Sequence, residues 1–199
     1  MRKVMCLIVL TALASFAFSP ETAMADSIKG RLGVTGRIGF IVPSDNDAEF
    51  FSNSTDVGII GGGGLIYGID NHIAAEFEVT RAAFGSETGD FGVTDIAMGG
   101  QYRFVEPRTP LVPYLGAGLD ILVSDYDPND GSYRDVDTTV GVGLKGGVDY
   151  FIQRQVALTA EAKGVIAPDA DIHDRSGARR GSFDPTSFTG TFGVRVFFR

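Results

Sequence analysis

The sequence predicts an all-β protein: a single eight-stranded antiparallel up-and-down transmembrane β-barrel after a cleaved signal peptide. Three observations lead there. Apolar residues recur with a period of two along most of the chain. Long and short connections between these segments take turns, as in barrels that cross a membrane. The N-terminus has the layout of an export signal.

The export signal comes first in the chain. Arg2 and Lys3 supply the positive start, Val4 to Phe18 the apolar core, and Ala23-Met24-Ala25 the small-x-small cleavage signature. Residues 1–25 are therefore expected to be removed, and residues 26–199, beginning at Asp26, to form the barrel domain. Cys6 is the only cysteine among 199 residues and lies in the leader, too near its start to be a lipoprotein acceptor. The barrel domain thus excludes disulfides, thiolate metal sites and a cysteine nucleophile. A net charge of −8 argues against nucleic acid as a partner. The 27 glycines follow no collagen period and suit strands whose backbones approach closely. After the leader no apolar run is long enough for a helical span.

The strands follow in order. In the first, Ile28, Leu32, Val34, Ile38, Phe40 and Val42 share one parity, and Lys29, Arg31, Thr35 and Arg37 the other. Val57 to Ile69 is nearly all apolar or glycine; its run Gly61 to Gly64 lacks the Lys and Ser/Thr of a phosphate loop and reads as crowded backbone. His72 to Phe84 sets Phe77 and Val79 against Glu76, Glu78 and Thr80. Val93 to Phe104 sets Ile96, Met98, Tyr102 and Phe104 against Asp95, Gln101 and Arg103. Val112 to Val123 sets Leu115, Leu119, Ile121 and Val123 against Tyr114, Gly116, Gly118 and Asp120. Thr138 to Phe151 sets Val140, Val142, Leu144, Val148 and Tyr150 against Gly141, Gly143, Lys145, Gly147 and Asp149. Val156 to Ile166 sets Val156, Leu158, Ala160, Ala162 and Ile166 against Thr159, Glu161 and Lys163. The closing strand sets Phe188, Gly190, Phe192, Val194, Val196 and Phe198 against Ser187, Thr189, Thr191, Gly193, Arg195 and Phe197.

Short connections are expected at Asp70-Asn71, Val105 to Leu111 and Phe151 to Gln155. Pro43 to Thr55, Gly85 to Phe91, Ser124 to Asp137 and Ala167 to Thr186 are the opposite set, mostly longer and rich in Asp, Asn, Ser, Gly and Pro. The first set makes periplasmic turns and the second extracellular loops.

The polar rows carry charges of both signs that can compensate one another in a lumen: Arg31, Arg37, Glu76, Glu78, Asp120, Lys145, Asp149, Glu161, Lys163 and Arg195, with Lys29, Asp95 and Arg103 beside them. A soluble ligand-binding barrel would also alternate, but with its apolar row inward and its rings mid-strand. Here Tyr67, Tyr102, Phe104, Tyr150 and Phe198 gather near the short-turn ends of outward rows, with Phe40 and Phe84 at the other rim. Rings at strand ends suit interfacial girdles, which favours the membrane.

The segment Val112-Pro113-Tyr114-Leu115-Gly116-Ala117-Gly118-Leu119 resembles the fifth-strand signature of the small outer-membrane β-barrel superfamily. That group comprises OmpA-type, OmpX-like, OmpW-like and opacity-type "porin family" proteins. Phe188 to Phe198 resembles the C-terminal signal read by the barrel assembly machinery, with the departure that Arg199 follows the terminal aromatic. The resemblance implies the outer membrane of a Gram-negative cell envelope. It implies outer-membrane lipid and lipopolysaccharide as surroundings, and the assembly machinery and periplasmic chaperones as partners in biogenesis. A monomer without cofactor or nucleic acid is expected, with no periplasmic peptidoglycan-binding domain beyond the last strand.

Site chemistry is sparse. His72 and His173 fall on opposite sides of the expected membrane and cannot share a centre. His173-Asp174-Arg175-Ser176 lacks the spacing of an ordered nucleophile and base, so no catalysis is expected. Asp125, Asp127 and Asn129 match the opening of a calcium loop, but Pro128 interrupts it and Gly131 comes one position late, which leaves a solvated acidic loop. Arg175, Arg179 and Arg180 would lie level with lipopolysaccharide phosphates, which arginine forks suit. Two functions stay open. One is a polar-filled barrel acting through four extracellular loops. The other is a narrow channel for small or hydrophobic solutes, its gap left by inward Gly116, Gly118, Gly141, Gly143 and Gly147.

Overall fold

The computed structural model describes residues 27–44, 46–48, 51–53, 57–86, 89–107, 109–128, 134–174 and 179–198; the expected leader lies outside them. Eight strands make the wall: β1 (Leu32–Pro43), β4 (Gly58–Gly68), β5 (Ile73–Ser86), β6 (Gly89–Arg103), β7 (Leu111–Pro128), β9 (Thr139–Gln153), β10 (Val156–Ile166) and β13 (Ser187–Phe198). Each pairs antiparallel with its sequence neighbours in the wall, and β1 closes on β13 from Leu32↔Phe198 to Pro43↔Ser187. The ring leaves no strand edge, so backbone groups of the wall are satisfied without water.

The period of two fixes which side chains face out. Ile59 on the outer row is 77 % exposed, whereas Asp149 and Arg195 on the inner row are 0 % exposed. Apolar side chains coat the outside and charges fill the inside, the reverse of a soluble ligand-binding barrel. Tyr67, Tyr102, Phe104, Tyr150 and Phe198 share the outer face at the short-turn end, each about half exposed.

The first strand begins later than its alternation suggests. Gly30 adopts φ +70° and its amide donates to the Gly68 carbonyl, while Arg31 N–H donates to the Ile28 carbonyl. This left-handed step reverses the parity before Leu32: Ile28 turns inward and is buried, and Lys29 turns out. Lys29 therefore does not join the lumen charges.

The long-loop end differs most from expectation. The described residues of Gly85 to Phe91 are strand rather than loop: Phe84↔Phe91, Gly85↔Asp90 and Ser86↔Gly89 are paired, and β7 runs on beside β6 to Gly89↔Pro128. Phe84 is accordingly not a rim aromatic facing outward; it points inward, buried, with its ring 5.8 Å from that of Phe91. The other long connections carry strands of their own. β2 (Asn46–Ala48) and β3 (Phe51–Asn53) form a hairpin, and β8 (Arg134–Val136), β11 (Ala170–Asp174) and β12 (Arg179–Phe183) form a sheet of order β12-β11-β8.

Candidate functional site

Along its axis the interior has three layers. The middle one is a charge network. Arg37 meets Glu78 at 2.9 Å, Glu76 at 3.4 Å, and Glu161. Lys145 meets Glu76, and Glu78 at 2.9 Å. Arg195 spans Glu76 at 2.9 Å and Asp149 at 3.0 Å, and Arg103 also reaches Asp149 at 2.8 Å. Nearer the long loops, Lys163 holds Asp95 at 2.7 Å, and Asp120. Tyr114 sits among them, its hydroxyl donating to Glu161 Oε2 at 2.8 Å and its ring centroid 4.9 Å from the Arg195 guanidinium carbon. Among the described residues the ion pairs of this layer join five cations to six carboxylates, so burial is matched by near-neutral pairing. Arg31 lies instead at the short-turn mouth, its guanidinium carbon 5.5 Å from the Phe197 ring centroid.

Glycines of the inner rows make room for these side chains. A Cβ on Gly147 would lie 2.5 Å from the Tyr114 ring, and one on Gly143 3.0 Å from Lys163 Cε. One on Gly116 would lie 3.1 Å from Lys145 Cγ. The space these three glycines leave is therefore filled by long neighbours rather than left as a water-filled gap. Cavities of about 20 Å³ beside Lys145 and about 30 Å³ beside Lys163 are each large enough for a water or two.

An apolar layer lies on each side of the charges. At the short-turn end Ile28, Ile66, Ala74, Val112, Phe151, Ala157 and Phe197 pack together, with the Phe151 and Phe197 rings stacked at 5.8 Å. At the long-loop end Ile41, Ile60, Ala82, Phe84, Phe91, Val93, Leu122 and Val165 meet Val136, Ala170 and Phe183 from the loop sheet. The Phe183 ring stacks on Phe91 at 4.9 Å and lies 6.4 Å from Phe84. Phe151 and Phe197 were legible as inward by parity, whereas nothing in the local pattern of Ala167 to Thr186 marked Phe183.

The small sheet has two chemically different faces. Val136, Ala170, Ile172 and Phe183 turn toward the barrel. Asp171 and His173 alternate to the other face, where Arg179 Nε contacts Asp171 Oδ1 at 2.9 Å. Arg179 thus pairs with a carboxylate; Arg175 lies outside the described residues, and Arg180 belongs to β12. Asp125 and Asp127 lie in paired strand rather than in a loop, and Asp125 Oδ2 accepts from Arg81 Nη2 at 2.8 Å on the outer wall; Asn129 lies outside the described residues. His72 is at the short-turn end, stacked on Tyr102 at 5.6 Å, and His173 is at the other. In the turn preceding β5, Asp70 Oδ1 accepts from the amides of His72 and Ile73, which lowers its pKa.

Residues 8–196 match the family model described as "Outer membrane protein beta-barrel domain". No curated protein matches the chain. Among solved structures it is similar to OprG from Pseudomonas aeruginosa, with a TM-score of 0.69 at 15 % identity over 86 % of this chain and 97 % of that one. Neisserial surface protein A gives a TM-score of 0.63 at 21 % identity, covering 85 % and 98 %. Outer membrane protein W of E. coli gives 0.50 at 20 % identity, covering 85 % and 98 %. At these identities the likeness is one of fold.

Proposed function

This chain belongs to the outer membrane protein beta-barrel domain family, and from that premise we propose that it is a closed, non-catalytic barrel that works through its extracellular surface. One observation carries the reading: the charge layer fills the lumen and an apolar layer lies on each side of it. Eight strands enclose a space that side chains can fill, and here the glycines yield their space to neighbours. What remains for interaction is the outer end, with its small sheet and the hairpin β2-β3. In this reading the protein is a monomer in lipid and lipopolysaccharide, inserted by the assembly machinery with periplasmic chaperones. The reading keeps Arg175, Arg179 and Arg180 as the residues to contact lipopolysaccharide phosphates, and Arg179 must leave Asp171 to bind one.

The runner-up is a narrow channel. Its support is that the outer apolar layer is completed by loop residues, Val136, Ala170 and Phe183, which can lift away from the strands. Solute release from liposomes holding the folded barrel separates the two. A tight barrel is expected. Leakage that is lost when Arg195 is replaced by a larger or oppositely charged residue would make the channel the primary function.

A further inference from the structure

We propose that Asp137, Asp171 and His173 form a binding site for a first-row divalent transition-metal ion on the outward face of the loop sheet. Backbone register brings the three together from two loops far apart in sequence. Asp171 and His173 stand two apart on β11 and so share a face. The amide of Asp137, just past β8, donates to the Asp171 carbonyl at 3.0 Å and sets Asp137 across from it. His173 Nδ1 lies 3.7 Å from Asp137 Oδ1, and one ligand atom from each of the three residues falls within 4.8 Å of the others. All three are open to solvent in part, so an ion can enter from the medium.

The donor set selects the ion. One imidazole nitrogen with two carboxylate oxygens suits zinc and its first-row neighbours, whereas calcium and magnesium prefer oxygen alone. Three protein ligands leave positions for water or an external group. Arg179, 2.9 Å from Asp171 Oδ1, competes with the ion for that carboxylate. A bound ion would tie β8 to β11, whose other face completes the outer apolar layer through Val136 and Ala170. The sequence offered His173 without Asp137, which only the β8–β11 register supplies.

Titration calorimetry of tag-free folded barrel with zinc chloride, in a buffer that does not bind zinc, tests the site. Cobalt(II) absorbance on the same samples reports the ligand geometry, and an unheated gel confirms that each variant is folded. One saturable site is expected. His173→Ala and Asp137→Asn each weaken it by about tenfold or more, since even losing an outer partner of a ligand is felt on that scale. Arg179→Gln tightens it, and His72→Ala leaves it unchanged. No saturable zinc binding by the folded wild type would overturn the proposal. So would binding undiminished in His173→Ala, or binding lost with His72.

Discussion

The two ends of the barrel interior are both apolar, yet they are closed by different means. At the short-turn end the stacked Phe151 and Phe197 belong to wall strands, and Ile66, Ala74, Val112 and Ala157 around them do too, with Ile28 joining from just before β1. At the long-loop end Phe84 and Phe91 belong to the wall, but the ring stacked on them, Phe183, comes from the loop strand β12. Opening the first requires parting the hydrogen-bonded wall. Opening the second requires only that the small sheet lift. The difference shows where motion and recognition can be placed in so small a barrel. One end is closed mainly by the wall strands themselves, and the other is capped by strands from the long connections.

The largest expected effect lies under the fixed end. Arg195 is two residues from Phe197 on the same inner row and contacts Glu76 and Asp149. Arg195→Ala leaves those buried carboxylates short of a cation and should destabilise by about 3–5 kcal/mol, measured as the urea midpoint of the folded band in micelles. Next, Phe197→Ala removes a fully buried ring from strand-borne packing and should cost about 3 kcal/mol or more by the same measurement. Phe183→Ala removes an equally buried ring from the cap and should cost about 1–2 kcal/mol, since the loop sheet can open apart from the wall. Equal losses at Phe183 and Phe197 would abolish the distinction between the ends.

The smallest effect concerns the turn before β5. The amides of His72 and Ile73 hold the Asp70 pKa below its ordinary value. Its contribution is therefore full above the ordinary aspartate range and is lost as pH falls through the lowered value. Unfolding temperatures of wild type and Asp70→Asn should converge at acidic pH and separate toward neutrality. A constant offset would show that the carboxylate charge plays no part.

Strand parity made the wall readable from sequence, because a membrane barrel repeats one rule along every strand: Glu76, Glu78, Asp149 and Arg195 each alternate with apolar residues of the opposite row. The rule failed where the chain leaves ideal pleating. Gly30 at positive φ reversed Ile28 and Lys29. Phe84 looked like a rim aromatic because strand length is not written in the alternation, and β5 and β6 stay paired beyond it to Ser86↔Gly89. The cap was illegible for a different reason. Ala170, Phe183 and Val136 come together only through pairing of loops distant in sequence, which no local period records. The same holds for Asp137 beside His173.

A single thiol placed at each end in turn distinguishes the two closures. Cys6 is the only natural cysteine, so a barrel domain beginning at Asp26 and carrying Phe183→Cys or Phe197→Cys has one reactive site. The folded proteins would be exposed to a membrane-impermeant thiol reagent, with unfolded samples as the reference for full reaction. Measurable labelling is expected at position 183 and protection at position 197. Equal protection at both, or faster labelling at 197, would contradict a barrel fixed at one end and capped by loops at the other.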